Sequence, residues 1–182
     1  MVELVDEAGF PPGVWNIVHG SGSMISSALI EHPDIQGVAF VGSTRVAKEI
    51  YRQCRENGKR VIAQGGAKNF MLVIPDTDLE KTIPALMTSF YGNTGQRCLS
   101  GANAVVVGED DAFYKKFKET FLNAASRIKI GYGLDEAVQM GPLQSKKAKE
   151  KVLGYIEKGI KEGAKIILKP VFSLQAFLRT LQ

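Results

Sequence analysis

The chain has 182 residues, of which 45% are hydrophobic and 23% charged, and a formal net charge of +4 at pH 7. That length suits an ordinary domain with a packed core, and the composition excludes wholesale disorder. The slight basic excess is interleaved with Asp and Glu along the helical segments, so neither a nucleic-acid partner nor a membrane surface is implied.

Short apolar runs alternating with amphipathic segments predict an α/β architecture with a largely parallel sheet. Val14 to Val18 predicts a strand, Gly20-Ser21-Gly22 a turn, the segment through Ala28 and Ile30 a helix, and Gly37 to Val41 a second strand, together one βαβ unit. Val46, Ile50, Tyr51 and Cys54 have helical spacing, with Ser43 or Thr44 as cap and Gly58 as stop signal. Phe70 to Ile74 predicts a strand and Pro75 to Asp78 a turn. Thr77 and Glu80 have capping-box spacing, and Pro84 predicts a kink or restart near Thr82. Ala102 to Val107 reads as a buried strand, and Asp110 or Asp111 caps a helix facing inward through Phe113, Phe117, Phe121, Ala124 and Ile128. After a loop from Gly131 to Pro142, Ser145 caps a lysine-rich helix with Ala148, Val152, Tyr155, Ile156 and Ile160 inward and Gly163 at its end. Ala164 to Leu168 predicts a last strand.

The chain has two cysteines, Cys54 and Cys98, with no secretory signal, transmembrane-length run or metal-ligand spacing, so a reducing cytoplasm fits. His19 and His32 have no partner spacing and read as loop residues; no metal is expected. Cys98 lies in Gly92-Asn93-Thr94-Gly95-Gln96-Arg97-Cys98-Leu99-Ser100, between a helical segment and a strand. Small neighbours let backbone N–H groups approach a bound carbonyl, and Arg97 adds charge that favours a thiolate. The alternative is that Cys98 packs as a small buried hydrophobe.

The turn at Gly20 lacks the third glycine of a dinucleotide fingerprint, since Ile25 occupies that position. Gly42-Ser43-Thr44 suits a phosphate at a helix N-terminus, or equally plain capping by Ser43. Gln64-Gly65-Gly66-Ala67-Lys68-Asn69 either brings backbone close to a ligand or crosses between domains, with Lys68 and Asn69 satisfying buried polar groups.

Taken in order, Gly9 to Val18, the run Val38-Ala39-Phe40-Val41-Gly42-Ser43-Thr44, Gly95-Gln96-Arg97-Cys98 and Met140-Gly141-Pro142-Leu143 resemble four stretches of the aldehyde dehydrogenase superfamily. The likeness runs from about Val2 to Leu168. Where most hydrolytic members carry a glutamate base, this chain has Gln64, and with Gly66-Ala67-Lys68-Asn69 it resembles the CoA-acylating methylmalonate-semialdehyde (malonate-semialdehyde) dehydrogenase branch. Phe70 stands where that branch commonly has histidine, and Ser26 and Ala47 where the family commonly has glycine.

The resemblance implies a three-layer aldehyde-dehydrogenase-like fold, present in part: residues 1–63 as the end of a Rossmann-like NAD-binding domain, 64–168 as the start of a catalytic domain, and 169–182 as a tail outside the family pattern. It implies NAD as cofactor, CoA as cosubstrate, a small aldehyde as substrate and a homo-oligomer. Cys98 would form a hemithioacetal, held partly by its own backbone N–H, then a thioester released by CoA as propionyl-CoA or acetyl-CoA with loss of carbon dioxide. Arg97 would contact an anion of substrate or CoA, Gly42 and Ser43 the NAD pyrophosphate, and Gly65 the nicotinamide side. The family's ribose-gripping segment, upstream oxyanion asparagine and later cofactor segment have no counterpart, so a weak or inactive internal fragment is expected. The alternatives are a non-acylating NAD-dependent aldehyde dehydrogenase and a non-catalytic remnant that associates with other chains.

Overall fold

The computed structural model describes residues 2–168; the expected tail at 169–182 lies outside the described residues. In chain order the elements are α1 (Val2–Glu7), α2 (Gly22–Glu31), β1 (Gly37–Val41), α3 (Thr44–Glu56), β2 (Arg60–Gln64), β3 (Asn69–Val73), α4 (Leu79–Tyr91), a tight turn at Gly92–Gly95, β4 (Gly101–Val106), α5 (Asp111–Ser126) and α6 (Lys146–Lys161). The chain divides into two compact units after Gly66.

In the first unit β1 and β2 pair in parallel, from Gly37 opposite Arg60 to Val41 opposite Gln64, with α3 as the crossover. Ala47, Ile50 and Cys54 recur at helical spacing and are the buried residues of α3; Ile50 and Cys54 pack with Ile30 of α2. Gly58 ends α3 as the sequence predicts. Its φ of +67° lets the Gly58 N–H reach the Arg55 carbonyl and the Lys59 N–H reach the Cys54 carbonyl, 2.9 Å away. The buried Lys59 side chain then donates to the carbonyls of His32 and Ile35 just beyond α2, tying the two helices together.

The predicted strand at Val14 to Val18 does not form. The segment is an exposed turn and coil: Val14 N–H donates to the Pro11 carbonyl, and Asn16 Nδ2 to the Gly13 carbonyl, 2.8 Å away. Apolar residues without a strand to pair against cannot satisfy a ladder, so the parallel βαβ unit is β1-α3-β2 instead.

In the second unit β3 and β4 pair in parallel, with a register shift between Asn69 and Phe70 that places an extra β4 residue beside the start of β3. The core joins Val73, Ile83, Leu86 and Phe117, from β3, α4 and α5. Burying a side chain such as Leu86 is worth about 1.5–3 kcal/mol relative to leaving it in water. Phe121 packs edge-on against Phe90, with centroids 5.9 Å apart, so the predicted aromatic stripe of α5 is a packed one.

Several local expectations change. The cap of α4 is Asp78, whose side chain accepts from the Glu80 N–H, and not Thr77. Pro84 lies inside α4 without restarting it, since it removes only the N–H that would have reached the Glu80 carbonyl. Asp110 caps α5 through Ala112 and Phe113 N–H, and Ser145 caps α6 through Ala148 N–H. The predicted inward face of α6 is open: Val152, Tyr155, Ile156 and Ile160 are exposed, and α6 has no buried residue. Ala164 to Leu168 is not a strand, for want of a partner, and Ile166 and Ile167 face solvent. Phe70, Leu72 and Val105 leave one face of the β3-β4 pair exposed, so β4 is less buried than its sequence suggests. Among the described residues no helix is long and apolar enough to cross a membrane.

Candidate active site

Each unit carries its own cluster of predicted site residues. In the first, parallel pairing brings the carboxyl ends of β1 and β2 together, the place where open α/β sheets bind ligands. The Gly42 N–H donates to the Gln64 carbonyl at 3.1 Å, so the glycine turn and Gln64 are direct neighbours. Ser43 occupies the N-cap position of α3, but its side chain makes no capping hydrogen bond. Gly42, Ser43, Thr44 and Arg45 are exposed. The first-turn N–H groups and the positive end of the helix dipole therefore face outward beside a basic side chain, an arrangement that fits a phosphate-bearing cofactor.

Gly65 is where a close approach matters. A Cβ there would sit 2.9 Å from Thr44 Oγ1 and 3.1 Å from Thr44 Cα, so the loop after β2 lies directly on the start of α3. The Gly66 N–H donates to Thr44 Oγ1 at 3.0 Å and locks that contact. Thr44, which the sequence offers as a cap or as part of a phosphate turn, is also the joint between the two glycine-bearing turns.

In the second unit Cys98 is exposed, whereas Cys54 of the first unit is fully buried and burial pushes its thiol pKa up. Of the two roles open to Cys98, the reactive thiol and the packed hydrophobe, packing belongs to Cys54. The approach to Cys98 is a run of three left-handed residues: Asn93 at φ 52°, Thr94 at φ 57° and Gly95 at φ 69°. Left-handed conformation in a β-branched threonine costs about 1–3 kcal/mol and persists only where the surroundings hold it.

The surroundings here are specific. Thr94 Oγ1 donates to the Gly141 carbonyl at 2.9 Å, and Gln96 Oε1 accepts from the Gln144 N–H at 3.0 Å. These bonds fasten the cysteine loop to the Met140-Gly141-Pro142-Leu143 stretch, so two of the motifs noted in sequence are one assembly. On the other side Ser89 Oγ accepts from the Gly101 N–H at 2.9 Å, and Asn69 Nδ2 donates to the carbonyls of Cys98 and Ser100 at 2.7 and 2.9 Å.

Arg97, read in sequence as a charge beside the thiol and an anion contact, spends most of its donors on the protein itself. Its Nη2 donates to the Thr88 carbonyl at 2.7 Å and its Nε lies 3.3 Å from Ser100 Oγ, so the guanidinium rests on the carbonyl end of α4. Thr94, Gln96, Ser89 and Asn69 were not singled out as site residues. The bonds from Thr94 and Gln96 span 47 and 48 residues, and no local spacing rule reports a contact of that range. Among the described residues no group of three His, Cys, Asp or Glu side chains could hold a metal ion.

Comparison with known proteins gives this geometry a context. The profile of the aldehyde dehydrogenase family matches residues 1–175. The chain is 44% identical over 167 residues to malonate-semialdehyde dehydrogenase 1 of Geobacillus kaustophilus, covering 92% of this chain and 33% of that protein. Among solved structures, it superposes with a TM-score of 0.88 and 38% identity on a Sinorhizobium meliloti protein crystallised in complex with NAD, covering 97% of this chain and 35% of the other. Against the methylmalonate-semialdehyde dehydrogenase of Oceanimonas doudoroffii the TM-score is 0.85 at 37% identity, over 92% of this chain and 34% of that one. The chain thus spans about a third of the length of the relatives it matches.

Proposed function

This chain belongs to the aldehyde dehydrogenase family, and from that premise we propose that Cys98 is the nucleophile in NAD-dependent oxidation of malonate or methylmalonate semialdehyde to acetyl-CoA or propionyl-CoA, with the substrate's carboxylate lost as carbon dioxide. The carrying observation is the contrast between the two thiols: Cys98 is exposed on a strained, fastened loop, and Cys54 is sealed in a core. The relatives named for malonate and methylmalonate semialdehyde support the substrate class.

The Cys98 sulfur adds to the aldehyde carbonyl carbon and its proton leaves to solvent; the carbonyl pair moves onto oxygen, giving the oxyanion of a hemithioacetal. The Cys98 backbone N–H is this chain's proposed donor to that oxyanion. Bound NAD supplies a hydride acceptor and bound CoA a thiol. The start of α3 at Gly42 and Ser43 would hold the pyrophosphate, and Gly65 would keep side-chain bulk away from the nicotinamide side. Gln64 is an amide, so it cannot take a proton from water, and release of the acyl group by a thiol is favoured over hydrolysis. Arg97 Nη1 makes no hydrogen bond among the described residues and is the proposed contact for an anion of substrate or CoA.

The test is protection of the thiol. Malonate semialdehyde should slow alkylation of Cys98 by iodoacetamide in the purified chain, and the weak NAD reduction expected of a chain that spans about a third of its relatives should depend on added CoA. Equal alkylation with and without the aldehyde sinks the assignment of Cys98, and turnover indifferent to CoA selects a non-acylating dehydrogenase.

The apolar side chains exposed on α6 and on one face of β3-β4 favour a second, compatible property, self-association of this chain in a reducing cytoplasm. Sedimentation should give a mass above the monomer; a clean monomer that binds no apolar dye contradicts it.

A further inference from the structure

Asn69 opens β3, 29 residues before Cys98, yet both hydrogens of its side-chain amide are spent on the cysteine loop. Nδ2 lies 2.7 Å from the Cys98 carbonyl oxygen and 2.9 Å from that of Ser100. A second anchor holds the peptide on the other side of the cysteine: the Ser100 N–H donates to the Arg97 carbonyl at 3.1 Å. Both peptide planes that meet at the Cys98 Cα are thereby pinned by their carbonyls. Because each peptide is planar and trans, pinning a carbonyl also sets the opposite direction of its N–H. The direction of the Cys98 N–H and of the Cα–Cβ bond follows from these two planes, which leaves χ1 alone to place the sulfur. Ser100 is 6% exposed, so the end of the loop is set in the second unit's interior rather than in solvent. The β-bulge falls at the same place, between Asn69 and Phe70, where β3 begins beside the loop.

We propose that Asn69 is a positioning residue for the nucleophile: its amide fork fixes the Cys98 backbone so that sulfur and N–H face one reacting carbonyl together. This rests on Cys98 being the acyl-bearing thiol, and goes beyond it in naming the group that aims that thiol. The role needs a side chain that donates two hydrogens, and Asn has the length for both carbonyls. Asp at the same position keeps the shape but sets acceptor oxygens against two carbonyls, and Ala leaves both carbonyls unheld.

The experiment compares two reactions of the same sulfur in the full chain. In acyl transfer from acetyl-CoA, the Cys98 sulfur bonds to the acetyl carbonyl carbon and the bond from that carbon to the CoA sulfur breaks. The CoA thiolate leaves with the electron pair and takes up the proton Cys98 gives up. That reaction needs sulfur and N–H in register, whereas alkylation by iodoacetamide needs only an accessible thiol. Asn69→Ala and Asn69→Asp should slow acyl transfer about tenfold or more while changing alkylation by no more than about twofold. Asn69→Gln, which keeps both donors, should recover part of the acyl-transfer rate, and an unchanged circular-dichroism spectrum and urea midpoint certify the fold of the second unit, which holds both Asn69 and Cys98.

If both rates fall together, or neither falls, Asn69 does not aim the thiol and the inference is overturned. If the unaltered chain takes no acetyl group while its Cys98 alkylates readily, the reading of Cys98 fails and this inference with it. Should Asn69→Ala fail to fold, Asn69→Gln and Asn69→Asp carry the comparison, and equal acyl-transfer rates in those two contradict the proposal.

Discussion

Adding one methyl group at either of two adjacent glycines separates the packing described for the first unit from a loose loop. In Gly65→Ala the new Cβ meets Thr44 Cα at 3.1 Å and Thr44 Oγ1 at 2.9 Å. The hydroxyl can rotate away, but the Cα belongs to the first turn of α3, and moving it drags the helix. In Gly66→Ala the Cβ meets only Thr44 Oγ1 at 3.4 Å, ordinary van der Waals distance, and the N–H that bonds Thr44 is kept. Overpacking of this kind costs about 1–3 kcal/mol. A tolerated glycine-to-alanine change gains about 0.4–1 kcal/mol by restricting the unfolded chain. The two variants should therefore differ by about 2 kcal/mol, or about 1 M in urea midpoint for slopes of about 1–3 kcal/mol/M. Cys54 provides the assay: it is buried in the same unit, so pulsed alkylation of Cys54 across a urea series follows that unit alone. Gly65→Ala should become labelled at the lower urea concentration and bind NAD more weakly. Equal midpoints would refute the close approach of the β2 loop to α3.

Other consequences can be checked as directly. Leu86→Ala truncates a fully buried side chain of α4 in the second core and should cost about 2–5 kcal/mol by chemical denaturation, with Cys54 protection little changed. Asp110→Ala removes the acceptor for two N–H groups at the start of α5 and should cost about 1 kcal/mol, read as a fall in Tm. The Arg52 hydrogen bond and then that of Gln53 hold the Glu49 carboxyl down from 4.5 to about 2. Its stabilising contribution is therefore present above pH 4.5 and lost as pH falls towards 2. Both partners are exposed, so the effect is small and screened by salt. Arg52→Gln should return the Glu49 midpoint, followed by NMR, towards its ordinary value.

Legibility in the sequence followed the range of the physics. Gly37–Val41 matched its predicted strand, and Gly58 and Gly163 end their helices as expected, because capping and periodicity are settled within a few residues. Asp110 and Ser145 were readable for the same reason. Val14–Val18 and Ala164–Leu168 misled because a strand needs a partner, and local apolar content says nothing about whether one arrives. The open face of α6 misled similarly, since amphipathic spacing shows which side is apolar but not what covers it. In the site, Cys98, Gly42 and Gly65 stood out through residue type and neighbours. The bonds from Asn69, Thr94 and Gln96 that hold the loop did not, because each joins segments 29 or more residues apart. Arg97 was visible as a charge, while its seat on the Thr88 carbonyl depends on where α4 ends.

The most direct measurement is to incubate the native chain with acetyl-CoA, digest it, and map any acyl group by mass spectrometry before and after hydroxylamine. A hydroxylamine-labile acetyl group on Cys98, absent from Cys54 and lost in Cys98→Ser, is the predicted result. Acetylation confined to lysines, or a thioester that survives in Cys98→Ser, would contradict the assignment of Cys98 as the residue that carries the acyl group.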